Sequence, residues 1–284
     1  MKYLVTGKNG QLARAFIRRL EERAADFLAL DRHELDIADP GMVANVFSFF
    51  RPDVVLNCAA YNLVDKAEEE PSRAFEVNAS GPKVLAAAAR EADALMVHFG
   101  TDYVFDGDRR GKGPYTEADA PNPLSEYGRS KLAGERAVQE EAGKFLVFRV
   151  SWVFGEGRQN FIYKLMDWAG KNEVLRIADD EISVPTYTYT VADTVLKAVE
   201  KGLCGLYHLT GSGSCSRYEW AGLVLKTLGI KKTVNPVPMS TFKLPARRPG
   251  FSAMSNKAIS GELGIIIPAW EEDVQLFLRE RVGQ

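Results

Sequence analysis

The chain opens Lys2-Tyr3-Leu4-Val5-Thr6-Gly7-Lys8-Asn9-Gly10-Gln11-Leu12-Ala13, and this stretch decides the fold. Tyr3, Leu4 and Val5 make the apolar centre of a short buried strand. A glycine-bearing turn follows, after which Leu12, Ala15, Phe16 and Leu20 recur with helical period. Strand, glycine turn and helix in this order form the phosphate-binding corner of a dinucleotide site. Gly7 permits the tight turn. Gly10 lets the backbone approach a pyrophosphate seated on the helix N-terminus, and Asn9, Gln11 and Leu12 complete the loop. The interval between the glycines is one residue longer than in G-x-G-x-x-G, so the context carries more than the spacing.

Outward from that corner the pattern alternates. Apolar runs at 27–30, 53–57, 94–99 and 145–150 read as strands. Segments 40–50, 71–90 and 124–141 read as helices, the first opened by Asp39 as N-cap and Pro40 as first residue. Short strands separated by longer helices build a parallel sheet covered on both faces, with ligands bound along the edge of the strand C-termini. The second half is less regular, with helical stretches at 160–168, 191–199, 218–228 and 271–281 and strand-like stretches at 174–177 and 206–209. Proline- and glycine-rich connections such as 235–238 and 243–250 lie between them. The expected fold is α/β: a Rossmann-type parallel sheet with helices on both faces, plus a smaller C-terminal α/β substrate-binding lobe. Residues 1–155 are assigned to the NAD(P)-binding unit and 156–284 mainly to the substrate lobe. The boundary is soft, because a sixth strand could come from beyond it.

With 284 residues, 46% of them hydrophobic, the chain can bury a large core. A formal net charge of -2 gives no basic excess for a nucleic-acid or membrane partner. Cys58, Cys204 and Cys215 have neither zinc-like nor paired spacing, which suits a reducing compartment. The immediate start on a strand leaves no room for a signal peptide, and no apolar run approaches a membrane span, so a cytoplasmic protein is expected. His33, His98 and His208 read as structural or solvated side chains.

Asp31 stands at the end of the second strand, where a carboxylate accepts from the ribose hydroxyls of NADH and repels the extra phosphate of NADPH. Arg32 beside it would do the opposite. NADH or NADPH is therefore expected, with the carboxylate tilting the balance toward NADH. Asp36 and Ile37 would lie near the adenine. Further on, Tyr127 and Lys131 are four apart on a helix and point from one face. A lysine and a cationic nicotinamide ring are expected to lower the phenol pKa, so that Tyr127 exchanges protons near neutrality. Thr101, at the end of the fourth strand, can donate to a substrate carbonyl oxygen.

The motif set resembles the extended short-chain dehydrogenase/reductase superfamily, and within it the dTDP-4-dehydrorhamnose reductases. The similar stretches include Thr6-Gly7-Lys8-Asn9-Gly10-Gln11-Leu12, Asn57-Cys58-Ala59-Ala60-Tyr61, Thr101-Asp102-Tyr103-Val104-Phe105, Tyr127-Gly128-Arg129-Ser130-Lys131, Ser151-Trp152-Val153-Phe154-Gly155 and Pro245-Ala246-Arg247-Arg248-Pro249. The resemblance implies reduction of the 4-keto group of a dTDP-sugar by NAD(P)H. It implies Tyr127 as proton donor, Lys131 on the nicotinamide ribose and Thr101 as their hydroxyl partner. It also implies that Ala59, Ala60, Tyr61 and Asn78 flank the cofactor. Val64, Asp65, Thr101, Tyr103, Trp152, Arg247 and Arg248 become candidates for holding the nucleotide-sugar, since a guanidinium pairs well with a diphosphate.

Some positions depart from the family pattern. Gly100 stands where Ser is commoner before Thr-Asp-Tyr, and Asn62 replaces the usual Thr after Ala-Ala-Tyr. The run Asp179-Asp180-Glu181-Ile182-Ser183-Val184-Pro185-Thr186 replaces the commoner Asp-Gln-x-Gly-x-Pro-Thr, which modifies a pocket wall. Some members bind magnesium through a glutamate of the first helix, where this chain has Ala15, so no metal is expected. The resemblance suggests a homodimer. Two alternatives stay open: reduction of another nucleotide 4-ketosugar, and a non-catalytic role like that of the regulatory subunit of methionine adenosyltransferase. Retention of Thr101, Tyr127 and Lys131 argues against the second.

Overall fold

The structure is a computed structural model that describes residues 1–109 and 111–282. Its first half runs β1 (Lys2–Thr6), α1 (Gln11–Glu22), β2 (Asp26–Leu30), α2 (Pro40–Phe50), β3 (Val54–Asn57), α3 (Pro71–Phe75), α4 (Gly81–Glu91), β4 (Leu95–Thr101), α5 (Glu126–Glu141) and β5 (Lys144–Val150). The second half contributes β6 (Val153–Phe154), α6 (Phe161–Lys171), β7 (Val174–Ala178), β8 (Ile182–Ser183), β9 (Thr186–Tyr187), α7 (Thr188–Glu200) and β10 (Gly205–His208). It continues with β11 (Cys215–Ser216), α8 (Arg217–Thr227), β12 (Thr233–Val237), α9 (Lys257–Leu263) and α10 (Trp270–Val282).

The main sheet has the order β2-β1-β3-β4-β5-β10, and every pairing in it is parallel. Two-residue alternation sorts its side chains. Tyr3, Val5, Leu56, Val97, Phe99 and Phe148 enter one core layer with Phe16 and Leu20 of α1 and Val191 and Val195 of α7. Leu4, Val55, Met96 and Val147 enter the opposite layer with Val43 and Phe47 of α2 and Leu85 and Ala89 of α4. Each fully buried side chain of this size contributes about 1.5–3 kcal/mol. The switch point of the sheet lies between β1 and β3, where the chain order reverses, and the parallel strands put the Gly7 turn and Thr101 on the same C-terminal edge.

The sixth strand and the helix covering it come from residues 188–208, after the chain has already visited the second lobe. The segment read as one helix over 71–90 is interrupted. Residues Glu76–Ser80 form a π turn between α3 and α4. Pro82 has no N–H for the Asn78 carbonyl, and its ring pushes that carbonyl outward. The carbonyl is then pressed so closely on α5 that a Cβ at Gly134 would stand 1.9 Å from it. The stretch 235–238, read as a connection because of its prolines, belongs mostly to β12, which pairs in parallel with β7 as an edge strand.

The second lobe packs around aromatic rings: Phe154, Trp220 and Phe277 are fully buried, with Trp152 and Tyr187 beside them. Asn160 caps α6, and a Ser216–Glu219 capping box opens α8. His98 and His208 are buried structural side chains, hydrogen-bonded to Asn57 and to the Tyr115 carbonyl at 3.2 Å each. No helix among the described residues is long and apolar enough to cross a membrane.

Candidate active site

The glycine corner is built by close backbone approach. Gly7 has φ +68°, and a Cβ there would lie 2.9 Å from the backbone of Ala59. The turn therefore leans directly on the Ala59-Ala60-Tyr61 segment that follows β3. Gly10 closes the turn by donating to the Gly7 carbonyl at 2.9 Å, and it occupies the N-cap of α1 without a side-chain cap. The first N–H groups of α1 thus have no capping side chain, at the positive end of the helix dipole. This bare, glycine-lined helix start fits a dinucleotide pyrophosphate. The Gln11 side chain is committed elsewhere, donating to the Val153 carbonyl at 2.9 Å and accepting from Asn160 at 3.3 Å, so it ties the corner to the second lobe.

Asp31 accepts from the backbone N–H groups of His33 at 2.9 Å and Glu34 at 3.3 Å, and these bonds, the first foremost, hold its pKa below the usual value. Asn9 reaches the same carboxylate at 3.4 Å and Lys8 at 3.6 Å. Lys8 also pairs with Glu34 at 2.5 Å. Arg32 is exposed and lies 3.5 Å from Asp36. Ile37 is a core side chain, so this segment offers an adenine ring mainly its backbone and Asp36.

Asn78 is wholly buried and works as a clamp. Its amide oxygen accepts from Tyr61 N–H at 2.8 Å, while its nitrogen donates to the Tyr61 carbonyl and to Ser130 Oγ at 3.0 Å each. Ser130 in turn donates to the Tyr127 carbonyl. The loop carrying Ala59, Ala60 and Tyr61 is thereby pinned to the helix that carries the catalytic candidates.

Thr101, Tyr127 and Lys131 meet at the end of β4 and the start of α5, and all three are buried. The Tyr127 phenol donates to the Asn62 amide oxygen at 3.5 Å, and the neighbouring Thr101 hydroxyl lowers its pKa. That hydroxyl donates to Asp102 at 3.2 Å and accepts from Tyr103 N–H at 3.3 Å. Lys131 Nζ donates to the Phe99 carbonyl at 2.6 Å. Burial pulls its pKa down to about 8, against the opposing pull of Glu135. Burial pushes the Tyr127 phenol up to about 12, with Thr101 acting in the other direction. This corrects the expectation of a phenol lowered by Lys131: in the protein by itself desolvation dominates, and the lysine is anchored on a carbonyl instead.

The remaining candidates lie beyond Tyr127. Tyr103 meets it edge-on, with ring centroids 5.8 Å apart, and Val64 packs on the same pair. Asp65 holds Arg248 by bonds of 2.7 and 3.0 Å. Both belong to the wall of a cavity of about 710 Å³ that also contains Trp152, Glu181, Lys164 and Arg217. Arg247, next in sequence to Arg248, is exposed. Trp152 has φ +39°, a strained value for a bulky residue. Sequence reasoning gave no role to Asp102, Arg217 or Glu181. Asp102 is buried beneath Thr101 and accepts from Ser183 at 2.8 Å and Ser252 at 2.6 Å. A buried carboxylate in a Thr-Asp-Tyr run carries no local signal of such distant partners.

A glycine corner, a buried Thr-Tyr-Lys set on the same sheet edge and an adjoining cavity define a nicotinamide-dependent reductase of the short-chain type. The chain belongs to the family described as the RmlD substrate binding domain, whose model matches residues 1–282. It is 36% identical over 302 residues to the dTDP-4-dehydrorhamnose reductase of Burkholderia thailandensis, covering 100% of both chains. The solved dTDP-4-dehydrorhamnose reductase of Clostridium acetobutylicum superposes with a TM-score of 0.95 at 36% identity, covering 99% of this chain and 100% of that one. The enzyme of Bacillus anthracis, solved in complex with NADP, gives 0.94 at 33% identity, covering 98% and 99%.

Proposed function

We infer that this protein reduces the 4-keto group of dTDP-4-dehydro-β-L-rhamnose to give dTDP-L-rhamnose, using NADH or NADPH. The carrying observation is the buried Thr101-Tyr127-Lys131 set on the sheet edge of the glycine corner, with Tyr103 packed on Tyr127 and hydrogen-bonded to Glu181 of the cavity wall. When bound, the reduced nicotinamide supplies the hydride that adds to C4. Tyr127 gives its phenolic proton to the C4 oxygen as negative charge develops there, and a phenol held up near 12 is fully protonated for that task at neutral pH. Thr101 donates to the same oxygen in place of Asp102. Lys131 supplies a fixed cation beside the reacting groups. The uncapped start of α1 receives the pyrophosphate, and Asn78 keeps the Ala59–Tyr61 loop in place beside it. Asp31, already compensated by Lys8 and Asn9, supports binding of either nicotinamide.

Supporting the substrate reading are the full-length likeness to reductases named for this sugar and a cavity with more cationic than anionic side chains. Resemblance to the short-chain reductases supports a homodimer and a cytoplasmic location. The test is oxidation of NADH and NADPH, followed optically with dTDP-4-dehydrorhamnose supplied. Turnover with dTDP-L-rhamnose as product is expected. Cofactor binding without any oxidation would overturn the reading.

A further inference from the structure

The cavity holds four cationic side chains, Lys164, Arg176, Arg217 and Arg248, against two carboxylates, Asp65 and Glu181. Arg248 is satisfied by Asp65 and by the Ala246 carbonyl. Lys164 and Arg176 are exposed. Arg217 differs from all of these. Its side chain is only 19% exposed. Its guanidinium carbon lies 3.5 Å from the centroid of Trp152 and 5.2 Å from that of Phe161. Among the described residues its single hydrogen bond runs from Nε to Glu181 at 3.3 Å, long for a charge-assisted pair. A guanidinium has five N–H donors. This one is therefore a partly desolvated cation, held over an indole and facing the cavity with most of its donors unspent.

Glu181 lies in the run 179–186 that modifies this wall. It is a buried carboxylate, and its other oxygen accepts from Tyr103 O–H at 3.3 Å. The charge on Glu181 thus compensates Arg217 while the cavity holds no anion of its own, and the pair sits beside the tyrosine that touches Tyr127.

We propose that Arg217 is a specificity-determining residue that reads the diphosphate of the nucleotide-sugar, with Glu181 as its internal competitor. Two diphosphate oxygens replace the Glu181 carboxylate on the guanidinium, matching its planar fork better than the single long bond does. A nucleoside without phosphate has nothing to offer in that exchange, so the pair discriminates by ligand charge. This rests on the nucleotide-sugar reading above.

The test is calorimetric titration of the full-length protein, loaded with NADPH, with thymidine diphosphate and with thymidine. Arg217→Met keeps the stem on Trp152 and is expected to weaken thymidine diphosphate at least tenfold and thymidine less than threefold. In turnover its effect should fall on KM rather than kcat. Arg217→Lys, which retains a charge, should give an intermediate loss. Glu181→Gln keeps the shape and the bond from Tyr103, and it is expected to tighten thymidine diphosphate several-fold, which a merely structural role would not produce. Equal weakening of both ligands by Arg217→Met, or no tightening by Glu181→Gln, overturns the proposal. If the wild type binds NADPH but no thymidine diphosphate, the substrate reading fails with it. If the wild type binds thymidine diphosphate and Arg217→Met binds it equally, this inference alone fails.

Discussion

Lys131 is tied to Phe99, its Nζ donating to the Phe99 carbonyl at 2.6 Å. The bond fixes the ammonium against the end of β4, where burial lowers its pKa to about 8. Below that value the site carries the charge, and above it the charge is lost. We therefore expect kcat/KM to fall as pH rises through about 8. Lys131→Arg keeps its charge throughout and should lose this alkaline limb while lowering the plateau. A limb that persists in the arginine variant would assign it to another group.

Tyr127 is the proton donor in the proposed reaction, and its ring is packed against Tyr103. Tyr127→Phe keeps that packing and removes only the hydroxyl. Cofactor binding, read by fluorescence titration, should be unchanged. Turnover should fall by roughly 10²-fold or more, the usual contribution of a positioned general acid. Unchanged turnover would take Tyr127 out of its role.

Asp102 is buried beneath Thr101, and desolvation pushes its pKa up to about 6 despite the bonds from Ser252 and Ser183. The folded chain thus holds this proton more tightly than the unfolded chain, whose carboxyl titrates near 3.8. Between about pH 4 and pH 6 this group alone makes the unfolding free energy decrease as pH rises, by up to about 3 kcal/mol. Asp102→Asn removes that slope. Denaturant unfolding at pH 4.5 and 7.5 should show the variant gaining on the wild type at the higher pH. A constant difference would mean that the carboxylate is satisfied in its charged form.

Lys8 lies 3.6 Å from Asp31 and offsets the charge that would face a 2′-phosphate. Lys8→Ala should shift the ratio of kcat/KM values toward NADH by about three- to fivefold, the scale of a partly exposed charge pair. A ratio that does not move would place the nicotinamide choice elsewhere, with Arg32 the next residue to vary.

The glycine corner, the strand alternation and the pairing of Tyr127 with Lys131 are legible in the sequence because each is local: a turn, a two-residue period, one helical turn. What escapes it is of two kinds. Pro82 and Pro236 act in opposite ways, one converting a helical turn to π geometry and the other tolerated in an edge strand, and only packing decides which. Arg217 and Glu181 lie on separate segments and pair directly, with the guanidinium resting over an indole from a third segment. Neither belongs to a motif, although the departure of the run 179–186 from the family pattern marks the wall where they meet. The upward push on the Tyr127 phenol in the protein alone escapes the sequence, because a neighbouring cation is visible there and the depth of burial is not.

The late arrival of β10 has a consequence for synthesis. Until residue 208 has emerged, β5 presents an unpaired edge and α1 lacks the α7 side chains that complete its core layer. At 5–20 residues per second, the roughly 55 residues between the end of β5 and the start of β10 take about 3–11 s to be made. The nascent chain therefore waits for seconds with an open, strongly apolar sheet margin, and a product released early at residue 155 would carry that margin permanently. Truncated products should aggregate rather than survive as a small stable cofactor-binding module.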